Sequence, residues 1–279
     1  MYRTFIIFIS LFILTRCSVT ETERQSLTPI AFTSSYGPSV DVSTRAPIYD
    51  IDQMEPIQIL RSDGSTTDFS GHTAPDLTGT IASDGTVTPS VPQYYDQGGD
   101  QANFMAFYPA AHSIQGGIVR FKITGQEDIT AAQVVYGGSI ESPKTVTLAF
   151  RHLLAQVRVL VSAENAQTAS AWGPITYIKI QTPTSLVMDT NTWPALSPHT
   201  DPETEYLPTS IGDNASQTIT TTYASAGSLM ILTATYPIAL KVKTANKEET
   251  TVTTSIWYVG PQSVYTIRLY FKDNSIELQ

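Results

Sequence analysis

Histidines, carboxylates and glycine-rich turns are the residues of this chain that could do chemistry. The four histidines are far apart, with no second histidine or carboxylate at a ligand spacing, so the sequence predicts no metal site. Serine-elbow, phosphate-loop and dinucleotide-binding motifs are also absent from the sequence. The densest acidic cluster, Asp50, Asp52 and Glu55, lacks the glycine and terminal glutamate of a calcium loop. We therefore predict no catalytic residue, no metal and no cofactor.

Composition narrows the class further. The chain has 279 residues, of which 41% are hydrophobic, and can bury a sizeable core. It carries 16 basic and 25 acidic residues, a net charge of −9, without a basic cluster. This balance repels phosphate backbones and argues against a nucleic-acid partner. The single cysteine rules out a disulfide framework and a cysteine-based zinc site.

The first 16 residues are typical of a secretory signal peptide, with an apolar stretch from Phe5 to Leu14 that is too short to span a bilayer. The only cysteine, Cys17, follows directly, as in a bacterial lipoprotein, where that cysteine is acylated. Arg16 stands where glycine, alanine or serine is usual, so an ordinary secretory signal with an incidental cysteine is the alternative. Residues 17–26 are predicted to be a flexible tether. Either reading takes the chain out of the cytoplasm.

The rest of the sequence predicts an all-β protein. Short segments alternate apolar and polar residues with a period of two, and glycine, proline, asparagine and aspartate separate them. Residues 84–102 and 189–216 are predicted to be loops, and only 150–156 could hold a helical turn. A turn at Ser142 and Pro143 is the predicted domain boundary. The clearest predicted strands are centred on Phe121, Leu148, Val159, Leu240 and Ile267.

Several motifs, taken in order, resemble those of the fimbrillins, or major-fimbrium-like proteins, of Bacteroidales, which are the subunits of type V pili. The resemblance covers nearly the whole chain. The order and spacing of the motifs carry the resemblance, and one of them is similar to the family's Phe-x-His-x-Leu-Ala-x-Val junction. The motifs are the leader ending at Cys17, Ser43-Thr44-Arg45-Ala46, Ala106-Phe107-Tyr108-Pro109, Leu148 to Val157 with Phe150 and His152, Gly260-Pro261, and Tyr265 to Leu269.

The resemblance implies two tandem transthyretin-like β-sandwich domains after the signal peptide, which we place at residues 27–143 and 144–279. It also implies a structural or adhesive subunit of a cell-surface fimbria, without enzymatic activity, that polymerises with other subunits by β-strand exchange. The expected location is the outer membrane, through lipid on Cys17, or the fimbrium itself. A host or bacterial surface receptor is a further expected partner.

The segment Leu27 to Ser35 is predicted to be the exchanged strand, with Ile30 and Phe32 on one face. A glycine-proline turn and a polar loop lead from it to Arg45, and cleavage after Arg45 would free the strand. The resemblance adds that stalk subunits of the family are matured by an arginine-directed protease. The alternative is that Arg45 is a surface residue of an uncleaved anchor or tip subunit.

Two other functions compete with this interpretation. A surface lipoprotein could bind glycans through aromatic side chains of the two long loops, and an exposed coplanar pair such as Tyr94 and Tyr95 would favour it. A hydrolase would need convergent carboxylates or a serine-histidine pair in a cleft, for which the sequence gives no sign.

Overall fold

The computed structural model describes residues 27–36, 53–199, 204–209, 216–232, 237–255 and 259–279. Cys17, Arg45, Asp50 and Asp52 lie outside these ranges. Within the ranges the chain is almost entirely β, with a single short helix, which confirms the predicted all-β class. The elements are β1 (Phe32–Tyr36), β2 (Ile57–Asp63), β3 (Leu77–Ile81), β4 (Val87–Pro89), β5 (Ala102–Tyr108), β6 (Ser113–Gln115), β7 (Ile118–Lys122), β8 (Thr130–Tyr136), β9 (Val146–His152), β10 (Ala155–Ala163), α1 (Ala166–Trp172), β11 (Ile175–Pro183), β12 (Ser185–Asp189), β13 (Ser197–Pro198), β14 (Thr204–Pro208), β15 (Ala224–Ile231), β16 (Ala239–Thr244), β17 (Thr250–Thr253), β18 (Val264–Phe271) and β19 (Ile276–Leu278).

The N-terminal half forms one seven-stranded sheet in the order β1-β9-β8-β5-β2-β3-β4. Its ends approach each other, because Thr33 of β1 forms an antiparallel bridge with Thr86 just before β4. The sheet therefore curls around its own apolar residues. We call this cluster the N-terminal core, and it includes Phe32, Ile59, Phe104 and Phe150.

The central strand β5 is buried on both faces. Phe104 and Ala106 point into the N-terminal core. Met105 and Phe107 alternate with them and belong to a second cluster, which we call the shared core. Because side chains of a strand alternate between the two faces of its sheet, a strand between two cores is apolar at every position.

Two four-stranded sheets dominate the C-terminal half, in the orders β15-β10-β18-β19 and β14-β11-β16-β17. Their inward side chains, such as Val159 of β10 and Ile180 of β11, lie together in the shared core. The transthyretin-like character of the two halves stays a prediction.

A third four-stranded sheet, in the order β13-β12-β7-β6, joins the halves. In it β7 from the N-terminal half pairs antiparallel with β12 from the C-terminal half, so that Phe121 lies opposite Leu186. Both side chains are buried in the shared core. The two halves are thus connected by backbone hydrogen bonds as well as by packing.

The division into two domains at 143 stays a prediction, but strand pairing bears on its position. β9 begins at Val146, beyond that point, and pairs with β1 and β8 of the N-terminal sheet. β10 begins at Ala155 and pairs with β15 and β18. The chain therefore passes from one sheet to the next at Leu153 and Leu154.

The helix lies elsewhere than the sequence predicted. Residues 150–156 are the end of β9 and the start of β10, so the helical turn predicted there is wrong. The helix α1 instead follows Asn165, whose side chain accepts a hydrogen bond from Thr168 N–H at 2.8 Å, as an N-cap does. It ends at Trp172 and is capped by Gly173, whose φ of 69° favours glycine. A seven-residue helix is too short to show a clear 3.6-residue pattern.

Candidate strand-exchange site

The strand β1 is the terminal strand of the N-terminal sheet and pairs parallel with β9. The register runs from Phe32 opposite Val146 to Tyr36 opposite Phe150. The Val146 N–H donates to the carbonyl oxygen of Ala31 at 2.9 Å, which fixes the start of this ladder. The predicted strand, Leu27 to Ser35, thus overlaps the observed one but begins and ends earlier.

The opposite edge of β1 is held by fewer contacts. Beside the bridge between Thr33 and Thr86, the Ser34 N–H donates to the carbonyl oxygen of Gly85 at 2.7 Å. Gly85 has a φ of 84°, and a Cβ there would lie 2.8 Å from the carbonyl oxygen of Ser34. Glycine is therefore required for the turn to approach β1 this closely.

The inward side chains of the segment complete the N-terminal core. Ile30 and Phe32 are only 6% and 4% exposed, and both lie on the inward face. The ring of Phe32 meets that of Phe104 edge-to-face, with centroids 4.9 Å apart. Burying two such side chains contributes about 3–6 kcal/mol. Removing the segment would leave an apolar gap of the same shape.

A buried polar cluster fixes the C-terminal end of β1. The phenol oxygen of Tyr36 lies 2.7 Å from Nε2 and 3.0 Å from Nδ1 of His152. Nδ1 of His152 lies 2.6 Å from Oδ2 of Asp128. If that carboxylate accepts from Nδ1, the Tyr36 hydroxyl is placed to donate to Nε2. Burial, and secondarily the charge of Asp128, raise the pKa of Tyr36 well above its usual range.

Sequence reasoning missed this cluster. Tyr36, Asp128 and His152 are distant in sequence, and β1 and β9 bring them together. The one available signal was His152, which stands in the junction motif. As a histidine at an inward position of a strand, it needs polar partners in the core.

The other sequence-predicted residues are placed as follows. Cys17 and Arg45 lie outside the described residues, so lipidation and cleavage stay predictions. Tyr94 is 37% exposed but Tyr95 only 2%, with its hydroxyl 2.7 Å from the carbonyl oxygen of Gly137. These two side chains therefore form no exposed platform.

Neither a cluster of potential metal ligands nor a helix that could span a membrane is found in the part of the chain that the structure describes. No group of three or more histidine, cysteine or acidic side chains there could hold a metal ion. The single helix in the same ranges, α1, has neither the length nor the hydropathy of a membrane span. Glu55, from the acidic cluster, is exposed to solvent.

A fimbrillin-like family model matches residues 44–277, which is most of the chain. The chain belongs to the fimbrillin-like family. This match agrees with the junction motif and with the order of the other motifs in the sequence. No curated protein matches the sequence significantly.

Solved structures share the fold of this fimbrillin-like chain. A candidate cell adhesion protein from Bacteroides uniformis has 17% sequence identity and a TM-score of 0.63, over 92% of this chain and 96% of that one. Another from Bacteroides ovatus has 13% identity and a TM-score of 0.60, over 91% and 96%. A third, from Bacteroides fragilis, has 11% identity and a TM-score of 0.54, over 91% and 96%. Identities this low indicate a common fold and no more.

Proposed function

We propose that this fimbrillin-like chain is a structural or adhesive subunit of a cell-surface fimbria and polymerises by exchange of the β1 strand. Family membership supports the fimbrial role and, by the kind of protein the family contains, favours a structural role over an enzymatic one. The exchange rests on one observation. A strand near the start of the chain fills the N-terminal core from the end of a sheet.

Strand exchange would use the two kinds of contact that β1 makes. Without β1, the β9 edge from Val146 to Phe150 would lose its backbone partners, and the pocket of Ile30 and Phe32 would open. An extended segment of a neighbouring subunit could satisfy both at once, because main-chain hydrogen bonds and alternate side chains act together in added strands. The β9 edge and this pocket together form a groove, which is therefore specific for an extended chain with apolar residues at every second position.

Export, anchoring and maturation complete the proposal. The signal peptide would direct the chain out of the cytoplasm, and acylation of Cys17 would hold it at the outer membrane. Cleavage after Arg45 would then release the N-terminal segment with β1 and open the groove along β9 to a neighbouring subunit. The partners are other fimbrial subunits and a receptor on a host or bacterial surface. The net charge of −9 makes nucleic acid an unsuitable partner.

The glycan-binding alternative has weaker support. Tyr95 is buried, which removes one half of the expected aromatic pair. Trp193, in the loop predicted at 189–216, is 61% exposed. One face of its ring is covered by the guanidinium of Arg151, whose carbon lies 4.0 Å from the ring centroid. A single half-covered ring is a poor sugar platform.

N-terminal sequencing of the protein from assembled fimbriae tests the proposal. The expected first residue is Ala46. A start at Cys17 or Ser18 in assembled fibres would exclude cleavage, and the exchange model with it. The variant Arg45→Ala should keep β1 and fail to enter fibres, whereas the neighbouring control Thr44→Ala should assemble normally.

Anchoring is tested separately with a labelled fatty acid. In the background Arg45→Ala, which would keep residue 17, label should be incorporated when Cys17 is present and not when it is replaced in Cys17→Ala. Equal labelling of both would show that Cys17 is not the attachment site, while the exchange proposal would be unaffected.

A further inference from the structure

The edge of β9 that receives β1 continues beyond the last residue of β1. In the observed register, Tyr36 lies opposite Phe150, so the next position of the incoming strand lies opposite Arg151. The N–H of Val146 points to the β1 side. Because alternate residues of a strand direct their N–H groups to the same side, that of His152 points there too. A strand longer than β1 can therefore continue along β9.

Side chains on the outer face of this pair lie next to each other in register. The hydroxyls of Thr33 and Thr147 are 3.0 Å apart, and Ser35 lies opposite Ala149. Arg151 is the next outward residue of β9. In the sequence, Tyr36 is followed by Gly37, which has no side chain.

Arg151 is placed to bind an anion at this position. Its guanidinium stacks on Trp193 and donates through Nη2 to the carbonyl oxygen of Pro194 at 2.9 Å. The ion pairs found among the described residues do not include Arg151. Partial burial lowers its pKa, which an adjacent carboxylate would counteract.

A cavity beside Arg151 has room for a side chain. It measures about 160 Å³. Arg151, Leu153, Trp193 and Leu196 line the cavity. A space of this size is too small for a whole ligand, which typically needs about 300 Å³ or more, and suits one side chain delivered by a strand.

We infer that the strand which replaces β1 in a fibre carries an acidic side chain one position beyond the register of Tyr36, where it pairs with Arg151. The inference rests on the proposed exchange and specifies the chemistry of the partner strand. Inward apolar residues would supply affinity. The outward carboxylate would fix the register and exclude a strand shifted by one or two residues.

Peptide displacement tests this inference on the full-length chain nicked at Arg45, with both fragments retained. Three labelled peptides spell residues 28–36 followed by glutamate, glutamine or lysine. The glutamate peptide should displace the N-terminal fragment at about three- to five-fold lower concentration than the glutamine peptide, which is the effect of a partly exposed ion pair. The lysine peptide should be weaker than both, and about 1 M salt should reduce the preference.

Two variants locate the effect. Arg151→Gln should abolish the preference for glutamate, whereas the control Arg120→Gln, on β7, should retain it. Equal displacement by the glutamate and glutamine peptides, or a preference that survives in Arg151→Gln, would overturn this inference and leave strand exchange standing. If none of the peptides displaced the fragment, the exchange proposal would fail and this inference with it.

Discussion

Within the described ranges, each half of the molecule contains one parallel strand pair, and the two pairs differ in how they are enclosed. In the N-terminal half, β1 pairs with β9 over Phe32–Tyr36. In the C-terminal half, β18 pairs with β10 over Val264–Phe271. β9 and β10 follow each other in the chain, so two consecutive strands each receive a parallel partner from a distant segment.

The inward packing of the two received strands is similar, but their outer edges are not. Phe32 of β1 is 4% exposed and Ile267 of β18 is 3% exposed. The free edge of β18 is covered by β19, with Leu269 opposite Leu278. Among the described residues, the corresponding edge of the β1 segment meets the turn before β4 through Ser34 and Gly85. It also meets residues 93–95 through isolated contacts such as that of Ile30 N–H with the carbonyl oxygen of Gln93, and no strand pairs along its length. The difference teaches that backbone pairing, more than burial, distinguishes β1, the strand proposed for exchange, from β18.

The largest expected effect comes from the inward face of β1. Phe32→Ala should destabilise the N-terminal core by about 3–5 kcal/mol, because it removes a buried aromatic side chain and leaves a cavity against Phe104. Denaturant unfolding followed by intrinsic fluorescence measures this. The control Leu27→Ala, at a position 54% exposed, should change stability by about 0.5 kcal/mol or less. A loss below about 1 kcal/mol for Phe32→Ala would mean that β1 is not needed to close the core.

Hydrogen exchange compares the two parallel pairs directly. Amides of β1 should exchange through a local opening that costs at least about 2–3 kcal/mol less than the opening that exposes β18, roughly a hundredfold difference in protection. The reason is that β18 cannot leave without breaking its pairing with both β10 and β19. Native-state exchange read by mass spectrometry measures both strands in one sample. Equal protection would remove the contrast on which the exchange proposal depends.

The polar cluster at the end of β1 predicts a smaller, pH-dependent effect. Tyr36→Phe should cost about 1–2 kcal/mol at neutral pH, because His152 loses a buried hydrogen-bond partner. Since the folded state raises the pKa of Tyr36, the stability from this group is complete below about pH 10, the usual tyrosine value. It falls as pH rises further, because the unfolded chain then ionises more readily.

Alkaline unfolding of the two proteins measures that difference. The wild-type chain should lose stability above about pH 10 more steeply than Tyr36→Phe. The control Tyr136→Phe, at an exposed position (57%), should behave like the wild type. Parallel pH profiles for wild type and Tyr36→Phe would show that the phenol of Tyr36 does not contribute.

The clearest predicted strands are those with one buried face. In β7, β9 and β18 inward apolar residues recur at every second position, and this period of two is visible without knowledge of the neighbours. β8 was missed, because its Ala131 and Ala132 are apolar on both faces and lie between two other strands. Its identity as a strand depends on partners that pair from elsewhere in the chain.

The candidate site was predictable in part for the same reason. Ile30 and Phe32 could be assigned to one face by their spacing. The contacts of Tyr36 with His152 and of Arg151 with Trp193 depend on the register between β1 and β9 and on the course of a loop. Neither follows from local sequence, since long-range register is set by the whole sheet.

The smallest expected effect is on the outer face of β1, and it separates the two faces of the strand. Thr33→Val removes the hydroxyl that lies 3.0 Å from that of Thr147. Water replaces a lost hydrogen bond at an exposed site, and valine favours a strand, so stability should change by about 0.5 kcal/mol or less. Thermal unfolding of Thr33→Val and of Phe32→Ala compares the loss of stability at an outward position with the loss at an inward one. A loss above about 1.5 kcal/mol would show that the outer face also selects the strand, and the partner's acidic residue would then be only one of several outward determinants.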